Sequence, residues 1–452
     1  MKEQKKVNLL ATESEGKLIA KFAIPAIISM LVSSLYNIVD QIFIGQGVGL
    51  LGNAATNIAF PVSIICTATA LLLGIGSASN FNLCSGAGDH EKASRIAGTG
   101  LSMLVICGVI IAAVVLVFLD PLLHLFGVTA KILPYAQDYT GITAFGIPFL
   151  ILTTGGNHLI RADRSPTYSM TCMLTGAIIN TVLDPLFIFG FHWGIKGAAW
   201  ATVIGQIVSG IMVIVYFGRF RKMELKKEMF RPRGHLLKMI LSLGMASCIN
   251  QIAMAVVQIT MNNTLRYYGA ASVYGTDIPL ACVGVISKVN MVFMAIAIGI
   301  SQGCQPIWGY NYGAGEYDRV KKITHTSMGL IALVMVMGMA ISCAIPQQLM
   351  GLFTTSRATM EIGGAALRII SFGFVVSSVS VTFSGVLEGL GKGMPSLLIS
   401  LARYIVVMLP VSFALSRLLQ ASGVWYGFAV TEYIVAVLSY YIYKFHMRDI
   451  KG

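Results

Sequence analysis

Apolar runs of about 20 residues recur from end to end of this chain, and each is long enough to cross a hydrocarbon core of about 30 Å as a helix. They predict twelve spans, at approximately 18–44, 53–78, 93–119, 133–158, 167–190, 197–218, 236–265, 278–305, 321–345, 360–386, 394–415 and 423–444. The longest polar break, GRFRKMELKKEMFRPRGH, leaves no room for a sizeable soluble domain. The first run, FAIPAIISMLVSSLYNIVDQIFIG, is too long for a signal-peptide core and reads as a span. The pattern is that of an all-α polytopic membrane protein.

Composition agrees. Of 452 residues, 56% are hydrophobic and 11% charged, whereas a soluble domain is about one-quarter charged. The net charge of +13 would suit nucleic acid if it formed a patch, but its distribution argues otherwise. With the N-terminus inside, 25 of the 32 Lys and Arg are assigned to cytoplasmic segments or span ends, Lys131, Lys196, Arg266, Arg357 and Arg417 are placed outside, and Lys288 and Arg368 are left within spans. That asymmetry follows the positive-inside rule and puts both termini in the cytoplasm. The eight cysteines form no CxxC and lie near no His at ligand spacing, so they read as packing residues. The Gly-Ala-Gly loops and GLGKG match no phosphate-binding loop. His158 has no nucleophile at a recognisable spacing. No enzyme, cofactor, structural metal or nucleic-acid partner is expected.

The chain repeats itself. GSASNFNLCSGAGDHEKASR begins at Gly76 and GCQPIWGYNYGAGEYDRVKK at Gly303, 227 residues later. Phe145-Gly146 returns as Phe372-Gly373 at the same offset. Six spans per half make the halves parallel repeats, with the substrate site expected between them near the midplane. The expected division is a six-helix lobe over 1–218, a cytoplasmic linker over 219–235 and a second lobe over 236–452.

The intramembrane acids carry the functional signal, because a charged group at mid-bilayer needs a polar partner or a cavity. Asp184 sits in NTVLDP with Asn180 four residues earlier on the same helical face. Pro185 has no N–H, which leaves the Thr181 carbonyl without its usual partner. These oxygens suit a hard cation such as Na⁺, and a carboxylate there equally suits a proton. Asp40 shares a face with Tyr36 and Asn37, in a helix that Pro25 is placed to bend. In the second half, Lys288 and Glu432 are the candidate compensating pair, with structural and gating roles both open. The cation site is therefore expected in the first half.

The segments LYNIVDQIFIG, SGAGDHEKA, RADRSP, INTVLDPLFIFG and GIKGAAWATVIGQ, in this order, resemble the multidrug and toxic compound extrusion (MATE) family. The likeness is to its prokaryotic DinF-like and MepA-like branches and spans essentially the whole chain. It implies an antiporter in the cell membrane, working as a monomer, that expels small organic and often cationic compounds in exchange for H⁺ or Na⁺. Carried over by motif, the coupling cluster is Asp40, Asn180 and Asp184 with Thr202 and Tyr139. One departure is Arg164 in RADRSP, where the family often has glycine. The alternative implied by the superfamily is a flippase for lipid-linked oligosaccharides.

Overall fold

The computed structural model describes residues 10, 13–270, 277–352 and 356–448. The two chain ends, expected in the cytoplasm, lie outside the described residues at 1–9 and 449–452, as does the side chain of Arg266. Among the described residues sixteen α-helices follow one another: α1 (Glu15–Gly47), α2 (Leu50–Gly86), α3 (His90–Val117), α4 (Leu119–Leu125), α5 (Leu133–Thr143), α6 (Ile147–Ala162), α7 (Pro166–Pro185), α8 (Ile195–Val215), α9 (Gly234–Ala270), α10 (Asp277–Gly313), α11 (Tyr317–Ala344), α12 (Pro346–Gly351), α13 (Arg357–Gly389), α14 (Gly393–Leu401), α15 (Leu409–Leu419) and α16 (Ala421–Met447). No strand occurs among the described residues.

Ten helical stretches among the described residues are long and apolar enough to cross a membrane. The expected fourth and twelfth spans are not among them, for separate reasons. The fourth is built from α5 and α6, joined through a 3₁₀ turn at Ala144–Gly146, so neither piece has the full length. The twelfth lies in α16, whose apolar character is diluted by Glu432 and several tyrosines. Counting both gives the twelve expected passages among the described residues.

Local chemistry explains where the helices stop. Both Gly-Ala-Gly loops end in a glycine of positive φ, Gly88 at 83° and Gly315 at 80°, as a left-handed helix C-terminus requires. Asp89 then caps α3 by accepting from the Lys92 amide at 3.1 Å. Arg164 also lies in the left-handed region, at φ 62°, a conformation that glycine adopts freely and arginine does not. Its carbonyl accepts from Lys222 Nζ at 2.9 Å. α1 continues unbroken through Pro25.

Packing divides the chain into two units, one of Ile28–Cys248 and the other of Met1–Ile27 with Ile249–Gly452. The lobes drawn from the sequence end at 218 and begin at 236, whereas the packing units divide within α1 and α9. Small residues show why. In the first unit, a Cβ on Gly76 would fall 2.1 Å from the Ile240 carbonyl oxygen, and one on Gly244 1.7 Å from that of Leu72. Asn80 Nδ2 adds a bond of 3.2 Å to the Met239 carbonyl. The start of α9 is thus locked onto α2. In the second unit, Gly303 stands in the place equivalent to Gly76, and a Cβ there would lie 2.6 Å from Ala23 Cα on α1. Asn311, fully buried, donates to the Leu10 carbonyl at 3.2 Å and holds the segment ahead of α1. The repeat glycines therefore mark where each repeat receives the first helix of the other. The two apolar cores centre on Trp308 in one unit and on the contacts among α2, α3 and α6 in the other.

Candidate functional site

The Ile28–Cys248 unit brings together the acids expected to handle the coupling cation. α7 presents Asn180 and Asp184 one helical turn apart, as their spacing requires, with exposures of 3% and 0%. Asn180 Nδ2 donates to Asp184 Oδ1 at 3.4 Å and to Thr202 Oγ1 on α8 at 3.3 Å. Asp40 on α1 comes within hydrogen-bonding reach of Asp184. Tyr36, one turn before Asp40, and Tyr139 on α5 both lie in the electrostatic field of the two acids. Four helices, α1, α5 and the consecutive pair α7 and α8, thus converge on one pair of carboxylates.

The pair is under-satisfied by protein. Asp40 Oδ1, Asn180 Oδ1 and Asp184 Oδ2 are all buried and have no hydrogen-bond partner among the described residues. Two carboxylates this close repel one another unless one positive charge is shared between them. The donor set, three free oxygens with the Thr202 hydroxyl adjoining, is all hard oxygen. It fits Na⁺ and fits a proton equally well. No group of three or more His, Cys, Asp or Glu side chains suited to a metal occurs among the described residues.

Pro185 acts as its chemistry requires. α7 ends at Pro185, and the chain continues as a π-helical turn over Leu186–Gly190. Loss of one donor shifts the hydrogen bonding to the wider turn immediately beyond Asp184. Asn37 is exposed and donates to the Ser33 carbonyl at 2.7 Å, so it turns back along its own helix.

In the other unit, the charges pair differently from the expectation. The sequence pointed to Lys288 as the partner of Glu432, and the structure supplies Arg403. Arg403 Nε donates to Glu432 Oε1 at 3.0 Å, and Arg403 NH2 pairs with Oε2, a bidentate grip on a carboxylate. Arg403 lies in a π-helical stretch, Ala402–Met408, between α14 and α15. It interrupts the apolar run SLLISLARYIVVML, and that interruption was the signal that would have found it. Lys288 is half-buried on α10 and Pro25 lies on the α1 segment of this same unit, so neither belongs to the packing unit that holds the acid pair.

Membrane-length helices around a buried, charge-deficient acid pair define a polytopic membrane transporter. The chain belongs to the MatE family, whose model matches it over residues 25–186 and again over 246–414, once in each repeat. Members of that family are transporters, not enzymes. Among its relatives, the multidrug export protein MepA of Staphylococcus haemolyticus (strain JCSC1435) is 26% identical over 431 residues, covering 94% of this chain and 92% of the relative. MepA of Staphylococcus aureus (strain NCTC 8325 / PS 47) is 25% identical over 434 residues, covering 96% and 94%. The fold is shared with a multidrug resistance MATE family transporter of the MOP superfamily, solved in an outward-facing conformation, with a TM-score of 0.93 at 24% identity over the whole of both chains.

Proposed function

We infer that this protein is a multidrug efflux antiporter of the cell membrane, exporting small organic and often cationic compounds in exchange for H⁺ or Na⁺. The observation that carries the reading is the Asp40–Asp184 pair beside Asn180 and Thr202, with buried oxygens that no group among the described residues meets. A site that requires one positive charge is a site whose occupancy can be tied to transport. The names of the MepA relatives support drug export and do not favour the flippase alternative.

In the mechanism we infer, two six-helix lobes alternate access to a substrate cavity. A cation entering from outside fills the acid pair, α1 bends at Pro25, and the drug is displaced outward. Asp40 and Asp184 hold the cation, Asn180 and Thr202 fix its position, and Tyr139 and Tyr36 close the site around it. Both termini face the cytoplasm, and the monomer is the working unit. One charge moved across 100 mV is worth about 2.3 kcal/mol, enough for roughly a 50-fold gradient of a neutral solute. For a monovalent cationic drug exchanged one for one, the voltage term cancels, and the chemical gradient of the coupling ion supplies the drive.

The test is dye efflux from proteoliposomes with a pH gradient and a Na⁺ gradient imposed separately. One of the two gradients drives efflux by the unaltered protein, and Asp40→Asn and Asp184→Asn each abolish that drive while the protein still purifies folded. Gradient-driven efflux at the normal rate by both variants refutes the assignment.

A further inference from the structure

The Phe-Gly pairs repeated in the two halves take no part in the acid pair, yet both glycines make room for a polar side chain from the last span of their own repeat. A Cβ on Gly146 would fall 2.0 Å from Gln206 Oε1, and one on Gly373 would fall 3.3 Å from Glu432 Cγ. In the second repeat that side chain is neutralised by Arg403. In the first the side chain is a neutral amide that nothing meets: Gln206 Oε1 is buried with no hydrogen-bond partner among the described residues, and the same holds for Thr140 Oγ1.

Both residues line one cavity of about 60 Å³, together with Ser63, Tyr139, Thr143 and Thr202. Its walls come from α2, α5, α6 and α8, all within the Ile28–Cys248 unit. Thr140 is 3% exposed, whereas Ser63 is exposed. A buried amide oxygen and a buried hydroxyl without partners are costly unless something polar meets them in place. The lining has no charged side chain, which disfavours a bare ion. Water meets both needs, since it donates and accepts, and a cavity of this size has room for about two molecules.

The cavity adjoins the acid site through two of its own lining residues. Thr202 Oγ1 accepts from Asn180 Nδ2 at 3.3 Å, and the same Asn180 nitrogen reaches Asp184. Tyr139 lies in the field of Asp40 and Asp184.

We propose that the Thr140–Gln206 cavity is a binding site for two ordered waters, forming the hydrated antechamber through which the coupling cation reaches the Asp40–Asp184 pair. The proposal rests on the antiport reading for the purpose of the waters, and on the cavity alone for their presence. Thr140 and Gln206 hold the waters, Ser63 admits exchange, and Thr202 hands the ion on. Thr140, Gln206 and Ser63 therefore set the rate of exchange and not the affinity of the acid pair.

X-ray radiolytic footprinting tests the waters directly, because side chains beside bound water are oxidised even when buried. Cys66 lines the cavity and Cys304 is equally buried without lining it. We expect Cys66 to label several-fold faster than Cys304, and Thr140→Val with Gln206→Leu to remove that excess. Gln206→Met alone, which preserves volume, should lower it in part. In proteoliposomes the double variant should slow gradient-driven efflux several-fold while reaching the same final accumulation ratio. Equal labelling of Cys66 and Cys304 overturns the water site. An excess that the double variant abolishes without slowing efflux overturns the antechamber role. Excess labelling of Cys66 in a protein whose efflux follows neither gradient leaves the water site standing and overturns the antiport reading, and the antechamber with it.

Discussion

Replacing either partner of the Arg403–Glu432 pair should damage the protein more than replacing both. The two side chains are 13% and 21% exposed, and the guanidinium grips the carboxylate through two nitrogens. Removing one partner of such a buried pair strands the other charge and costs about 3–5 kcal/mol, whereas exchanging both for apolar groups of similar volume is often neutral or stabilising. Arg403→Met and Glu432→Met should therefore each destabilise by about 3–5 kcal/mol, and the double variant should return to within about 1 kcal/mol of the starting protein. SDS titration in mixed micelles reads this out, with Trp425, on the same helix as Glu432 and 5% exposed, as the fluorophore. Single variants that each cost less than about 1 kcal/mol would show that the pair behaves as an exposed surface bridge, and the reasoning from burial would fail.

Other outcomes follow from close approach and from the cytoplasmic turn. Gly244→Ala places a methyl 1.7 Å from a backbone oxygen of α2, which forces the helices apart and should cost about 1–3 kcal/mol in detergent melting. Gly16→Ala, with nothing within 4 Å of the added methyl, should be neutral or stabilising by up to about 1 kcal/mol. Asp163, at the end of α6, accepts from Tyr216 Oη and from the Lys222 amide, each at 2.6 Å, and ties that turn to the linker. Burial raises its carboxyl above the ordinary value. Its contribution to stability is therefore full in acid and lost as pH rises through the raised value. Asp163→Asn, which cannot ionise, should flatten the dependence of melting temperature on pH.

The sequence revealed those features that depend on local pattern. Apolar length marked the spans, the Gly-Ala-Gly loops marked the repeat, and Asp184 was conspicuous because carboxylates are rare within spans. Asp40 joined it on the same argument, and the four-residue spacing of Asn180 and Asp184 placed both on one face. Features that depend on long-range contact were not legible. Gln206 carries no charge, so nothing in the pattern singled it out, and its importance appears only when Gly146 is found against it. Arg403 breaks the apolar run of its own span, but its partner lies 29 positions away, so the pairing with Glu432 was not legible. The exchange of helix ends between units was hidden for the same reason: Gly76 and Gly303 showed that a repeat existed, but not which helix each glycine would receive.

That exchange constrains how the protein is made. During synthesis the Ile28–Cys248 unit lacks an essential wall until residues 234–248, directly after the linker, have emerged. Residues ahead of Ile28, although made first, belong to a unit whose remaining members start at Ile249, so they wait for most of translation before they find their neighbours. The ribosome thus delivers the chain in an order in which neither unit closes on its own repeat. A break in the linker would separate two polypeptides, each still holding a piece of the other's interior.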